Sequence, residues 1–149
     1  MSKAARQQTH RRHHRHGEER PKPAIAPMSD RSVYLGAVII GLFVIILGGL
    51  LSDASYWPHF AVGYLAVLLY QVNAAGWSAY RGKPTSDWKH SLAKLPLRTA
   101  GFGTKTGKPI EAAHGQPAVR TALMTFGVVS LVAIAGLAWL VLARFTPSE

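Results

Sequence analysis

Three long apolar stretches, over residues 33–51, 60–80 and 121–143, dominate the pattern of this chain. The shortest has about 19 residues, which at 1.5 Å per residue reach roughly 28 Å and match a hydrocarbon core of about 30 Å. A cleaved signal sequence has a shorter apolar run of about 7–15 residues. Ser29 and Asp30 are predicted to provide an N-cap ahead of the first stretch. The pattern therefore predicts an all-α integral membrane protein with three transmembrane helices.

The Lys and Arg residues are distributed unevenly around these stretches. Of the 17 in the chain, eight lie in a tail over residues 1–32 and eight in a loop over residues 81–120. The turn over 52–59 contains none, and the end over 144–149 contains only Arg144. Short basic segments are retained in the cytoplasm during insertion. The distribution predicts a cytoplasmic N-terminus and an outer C-terminus, with the bacterial inner membrane as the expected location.

The tail is poor in apolar residues and rich in Arg, His and Pro. It buries too little apolar surface to offset its chain entropy, so a disordered tail is predicted. The tail contains four clustered histidines, His10, His13, His14 and His16. Clustered imidazoles can bind Zn, Ni or Cu, so these are candidate metal ligands, but the neighbouring arginines repel a cation. A solvated basic tail that fixes orientation is the preferred interpretation, and a pH-dependent contact with a partner or with anionic lipid is the alternative. Nucleic acid is not expected as a partner.

Residues 85–95 of the loop are predicted to form a short helix in the plane of the lipid headgroups. One face carries Trp88, Leu92 and Leu95 at i, i+4 and i+7, and Lys residues lie elsewhere. Pro96 is expected to stop this helix. The alternative is that the same face packs on the cytoplasmic surface of a neighbouring protein.

The second apolar stretch is the most polar of the three. Its amide side chains Gln71 and Asn73 point about 200° apart on a helix and are predicted to hydrogen-bond to neighbouring helices. Aromatic residues mark both of its ends, as expected at membrane interfaces. Trp57 is predicted at the outer interface, and Trp77 and Tyr80 at the inner one.

The third apolar stretch carries small residues at every third position. This stripe predicts a narrow face on which another helix approaches closely. Its members are Gly127, Ser130, Ala133 and Gly136.

Several chemistries find no support in the residues. No Asp, Glu, Lys, Arg or His lies within the three stretches, which argues against proton relays and voltage sensors. The absence of Cys excludes thiolate metal sites and thiol nucleophiles. The segment from Gly101 to Lys108 lacks the spacing of a phosphate-binding loop. His59 at the outer boundary is the nearest candidate for a cofactor ligand.

These observations predict a non-catalytic accessory subunit of a larger membrane complex, with a respiratory or photosynthetic complex as the expected host. Its partners would be other integral membrane subunits and anionic lipid headgroups. No cofactor of its own is expected. The alternative is contact with a lipid or pigment at an interface that it shares with a partner subunit. The alternatives are a small oligomeric transporter or channel, lined by polar residues of the second stretch, and a transient assembly factor.

Overall fold

The structure, a computed structural model, describes residues 27–145, and the tail histidines His10, His13, His14 and His16 lie outside this range. Four α-helices are present in the described part: α1 (Asp30–Leu51), α2 (Trp57–Tyr80), α3 (Asp87–Leu97) and α4 (Pro117–Phe145). Short 3₁₀ turns occur at Ala54–Tyr56, Arg98–Ala100 and Ile110–Ala113. The described residues contain no β-strand, only an isolated bridge between Gly103 and Lys108.

Three of the helices are long and apolar enough to cross a membrane. They are α1, α2 and α4. The chain is therefore an all-α integral membrane protein. We call the end of the helix bundle that carries α3 and the loop over 81–116 the basic end, and the opposite end, with the turn over 52–56, the turn end.

The transmembrane helices begin slightly before the apolar stretches because local capping residues set their first turns. The Ser29 hydroxyl accepts a hydrogen bond from the Ser32 backbone N–H at 3.2 Å, which confirms the predicted cap before the first helix. Pro58 lies in the first turn of α2, where its missing N–H costs nothing. Pro117 begins α4 in the same way.

Helix α2 is central and packs against α1, α3 and α4. Its contact with α1 places aromatic rings over glycines. Gly41 of α1 lies against the ring of Tyr64, and Gly48 lies against the ring of Phe60. The Tyr64 hydroxyl also donates a hydrogen bond to the carbonyl of Ala37. The two helices approach closely because each glycine leaves room for a ring.

At the basic end, α3 folds back and packs against α2 and α4 within the chain's own core. The largest fully buried apolar side chains there are Leu97, Leu123, Val72 and Val119. Helix α3 continues one residue past Pro96, and the proline ring packs close to Gly76 of α2. The short helix is thus anchored by its own bundle.

Candidate partner-binding site

A polar network holds the start of α1 against α3. The Asp30 carboxylate accepts hydrogen bonds from the Lys94 ammonium at 2.8 and 2.9 Å and from the Ser91 hydroxyl at 2.6 Å. The Tyr34 hydroxyl donates to the carbonyl of Ser91 at 2.8 Å. The Lys94 side chain is only 14% exposed, so this ion pair is shielded from water on one side. The network fixes the basic end of α1 relative to α3.

Substitution Lys94→Gln is expected to lower the free energy of unfolding by about 2 kcal/mol, because hydrogen bonds to a charged group contribute roughly 1.5–3 kcal/mol. Thermal unfolding in mild detergent measures the change. Lys89→Gln is the matched control, since Lys89 is exposed and forms no ion pair within the described residues. Asp30→Asn combined with Lys94→Gln should cost less than the sum of the two single changes; a strictly additive result would contradict the coupling.

A groove runs between α1 and α2 from the basic end towards the middle of the membrane. Its volume is about 340 Å³. This α1–α2 groove exists because Gly36 and Ala37 present little side chain to it. A Cβ atom added at Gly36 would meet no atom within 4 Å. Trp88 of α3 stands at its mouth, and Gln71 of α2 lies on its wall.

Helix α2 also exposes a seam beside this groove. It consists of residues at i, i+4, i+7 and i+11, a spacing that places them on one face of a helix. The members of this α2 seam are Gly63, Val67, Tyr70 and Ala74. Val67 is 59% exposed and Tyr70 is 70% exposed, so neither α1 nor α4 covers the seam. Val67 belongs to both surfaces, which makes them one continuous face.

Two polar side chains on this face have no hydrogen bond within the described part of the chain. They are the hydroxyl of Tyr70 and the amide of Gln71. Tyr70 lies about 20 Å along α2 from Trp57 and about 15 Å from Tyr80, which places it near the middle of the span. By contrast, the Ser78 hydroxyl donates to the carbonyl of Ala74 at 2.9 Å.

Asn73 occupies a different position, in the contact between α2 and α4. Its Nδ2 donates to the carbonyl of Leu69 at 2.8 Å, whereas its buried Oδ1 has no hydrogen-bond partner within the described residues. Gly127 of α4 lies beside that oxygen, and an added Cβ would be 3.5 Å from it. The predicted amide pair is therefore divided: Asn73 faces the chain's own α4, and Gln71 faces the α1–α2 groove.

The small-residue stripe on α4 is likewise divided between covered and open positions. Ser130 is buried and its hydroxyl donates to the carbonyl of Phe126 at 2.7 Å. Ala133 and Gly136 are exposed towards the turn end, and a Cβ at Gly136 would meet no atom within 4 Å. Packing of these two positions on another helix stays a prediction.

The aromatic residues predicted at the interfaces take different environments. Trp57 is half exposed at the turn end. Trp77 and Tyr80 pack edge to face, with ring centroids 5.6 Å apart, and rest against the core. On α3, Leu92 is buried in the chain's own core, while Trp88 and Leu95 remain 40% and 38% exposed.

The histidines of the described part lie in two separate places, one at the turn end and one at the basic end. His59 is partly buried, and its ring lies 5.6 Å from that of Tyr56. A cavity of about 510 Å³ at the basic end is lined in part by His90, Glu111 and His114, with His90 Nδ1 and Glu111 Oε1 3.8 Å apart. Among residues 27–145, no three His, Asp or Glu side chains are grouped so that they could hold a metal ion.

Fold and surface together define a small integral membrane protein with three helices able to cross the bilayer. Comparison with protein-family models, curated proteins and solved structures gives no match for this chain.

Proposed function

We propose that this protein is a non-catalytic accessory subunit of a larger membrane complex, and that a transmembrane helix of a partner subunit packs into the α1–α2 groove and against the α2 seam. The observation that carries the proposal is the position of the Tyr70 hydroxyl and the Gln71 amide. Both lie at mid-span, and both lack a hydrogen bond within the described residues.

Unpaired polar groups in hydrocarbon are unfavourable. Transfer of an unpaired hydroxyl or amide from water into an apolar medium costs roughly 2–7 kcal/mol, and water cannot offset this cost in the bilayer core. A partner helix with a polar side chain at the same depth removes the cost, because hydrogen bonds between transmembrane helices contribute about 0.6 kcal/mol each even after competition. The two side chains therefore favour a protein neighbour over lipid at this face.

The shape of the face suits a helix. Gly36 on α1 and Gly63 on α2 leave room for a neighbouring backbone, since a Cβ at either position would meet no atom within 4 Å. Small residues at such contacts allow the close approach that drives helix association in membranes. A helix lying over Val67 would have Tyr70 on one side and Gln71 on the other.

The predicted orientation completes this proposal. With the basic end in the cytoplasm, the exposed faces of Trp88 and Leu95 lie at the level of the headgroups, where amphipathic rings are favoured. The basic residues of the tail and loop then contact anionic lipid and the cytoplasmic surface of the partner. A respiratory or photosynthetic complex is the proposed host class.

The test is co-purification of the tagged full-length chain from native membranes in mild detergent, with partners quantified by mass spectrometry. Tyr70→Phe combined with Gln71→Leu should reduce the recovered partner about sevenfold, in keeping with the loss of two interhelical hydrogen bonds. Ser78→Ala is the control, because that hydroxyl is bonded within α2 itself. Its recovery of partner should be unchanged.

Other outcomes separate the alternatives. Migration of the chain as a lone monomer would contradict the proposal. Recovery of copies of the chain alone, together with solute flux into liposomes that the double variant abolishes, would favour the oligomeric transporter or channel. Recovery only with incomplete complexes would favour the assembly factor.

A further inference from the structure

A short hairpin over residues 103–108 projects from the basic end of the helix bundle. Its ends are joined by a hydrogen bond from the Gly103 N–H to the Lys108 carbonyl at 2.9 Å. The chain is fixed on either side of the turn, because Phe102 and Ile110 are buried in the core. All residues of the hairpin except Gly103 are exposed. The 103–108 hairpin is therefore an ordered projection with two apolar anchors.

The 103–108 hairpin lies on the side of α3 that faces away from the bilayer interior. His90 and Lys94 line a cleft of about 250 Å³ between α3 and the hairpin. Trp88 and Leu92, by contrast, line the α1–α2 groove, which runs towards the middle of the membrane. The two pairs are offset by two residues, which corresponds to about 200° around a helix. The hairpin is therefore farther from the lipid than the ring of Trp88 by about one helix diameter, roughly 10 Å.

The surface at the hairpin carries positive charge that is not neutralised. Lys105 and Lys108 are exposed, and residues 101–110 contain no Asp or Glu. The stem of the exposed Arg98 lies beside Gly103, since a Cβ atom added to this glycine would be 3.6 Å from Arg98 Cγ. Within the described residues, none of these three basic side chains forms an ion pair with a carboxylate.

Glu111 is the carboxylate that follows the hairpin most closely in the sequence. Its Oε1 lies 3.8 Å from His90 Nδ1 on α3, and the side chain is 74% exposed. Glu111 therefore faces α3 and does not pair with either lysine of the hairpin. The charges of Lys105 and Lys108 remain available to another molecule.

We propose that the 103–108 hairpin docks an acidic peptide segment, rich in Asp and Glu, on the cytoplasmic part of a partner protein. Opposite charges across such a contact steer the encounter and fix its register. Lipid headgroups are the less favoured occupant, because α3 separates the hairpin from the bilayer. An ordered projection suits a protein partner, since little chain entropy is lost when it binds. The inference rests on the proposed function for the partner and for the cytoplasmic position of the basic end.

The experiment introduces the photoreactive residue benzoylphenylalanine at the exposed Thr104 position of the full-length chain and irradiates native membranes. Cross-linked peptides are identified by mass spectrometry. We expect adducts with one protein segment in which Asp and Glu predominate. Lys105→Gln combined with Lys108→Gln should lower the adduct yield about fivefold, since each exposed ion pair contributes roughly twofold in affinity. Lys83→Gln combined with Lys89→Gln removes the same charge elsewhere at the basic end and should leave the yield unchanged.

Charge reversal provides a second measurement. Lys105→Glu combined with Lys108→Glu should abolish the adduct, and Lys in place of the acidic residues of the identified segment should restore it. Adducts with phospholipid alone, with a segment that is not acidic, or with no protein would overturn the inference. Equal losses in the two lysine pairs would also overturn it, because they would show attraction by net charge only. Recovery of the partner by co-purification tests the proposed function separately: a recovered partner without an acidic adduct at the hairpin would contradict this inference alone.

Discussion

Gly76→Ala is expected to destabilise the protein by about 2 kcal/mol, because α2 has no room for a methyl group at this position. The added Cβ would lie 2.7 Å from Leu123 Cδ2 and 2.9 Å from Pro96 Cγ. Leu123 is fully buried, and the proline ring is rigid, so neither neighbour can move away without disturbing the core. Overpacking of this kind typically costs 1–3 kcal/mol. The unfolding temperature in detergent should fall by roughly 6 °C.

Gly63→Ala on the same helix is the matched control. Its Cβ would meet no atom within 4 Å, and alanine is favoured over glycine in a helix interior by about 1 kcal/mol. The control should therefore be neutral or stabilised. Equal unfolding temperatures for the two variants would contradict the close contact of α2 with Leu123 and Pro96.

Gly41→Ala combined with Gly48→Ala is expected to separate α1 from α2. At Gly48 the added Cβ would lie 2.6–2.8 Å from ring atoms of Phe60, and at Gly41 it would collide with the ring of Tyr64. Aromatic rings cannot bend away, so the helices must shift and the hydrogen bond from Tyr64 to Ala37 is lost. We expect a loss of about 4 kcal/mol, as each site contributes roughly 2 kcal/mol.

Cysteine cross-linking across the α1–α2 contact measures this separation in native membranes, beside thermal unfolding in detergent. Gly36→Ala is the control on the same helix, because its Cβ would meet open space. An unchanged cross-linking yield in the Gly41 and Gly48 variant would show that the two helices are not in contact at these positions.

The positions of the transmembrane helices could be predicted from the sequence, because the apolar composition of each stretch determines where a span lies. Uninterrupted apolar stretches define spans of membrane length, and Ser29 and Pro58 are recognisable helix-start residues. The packing could not be predicted, because α1 is apolar on every side and shows no preferred face. The packing depends on two pairs of residues, Gly41 with Tyr64 and Gly48 with Phe60. These pairs can be recognised only when α1 and α2 are known to lie antiparallel to each other.

The environment of α3 illustrates the same limit. Its sequence pattern of Trp88, Leu92 and Leu95 indicates one apolar face, but the buried residues also include Ser91 and Pro96. Ser91 is buried because Asp30, distant in sequence, accepts its hydrogen bond. Pro96 is buried because Gly76 leaves space for its ring. Such partners lie far apart along the chain, so no local pattern reveals them.

The core of the basic end can form only after residues from distant parts of the chain have been synthesised. Val72 and Leu97 become buried only with Val119 and Leu123, which are synthesised later. Roughly 40 residues separate the end of α2 from Leu123, and at about 5–20 residues per second their translation takes about 2–8 s. Throughout this interval the contact at Gly76 can be made by Pro96 of α3 but not yet by Leu123 of α4. The packing at the basic end is therefore completed only after the first turns of α4 have been synthesised.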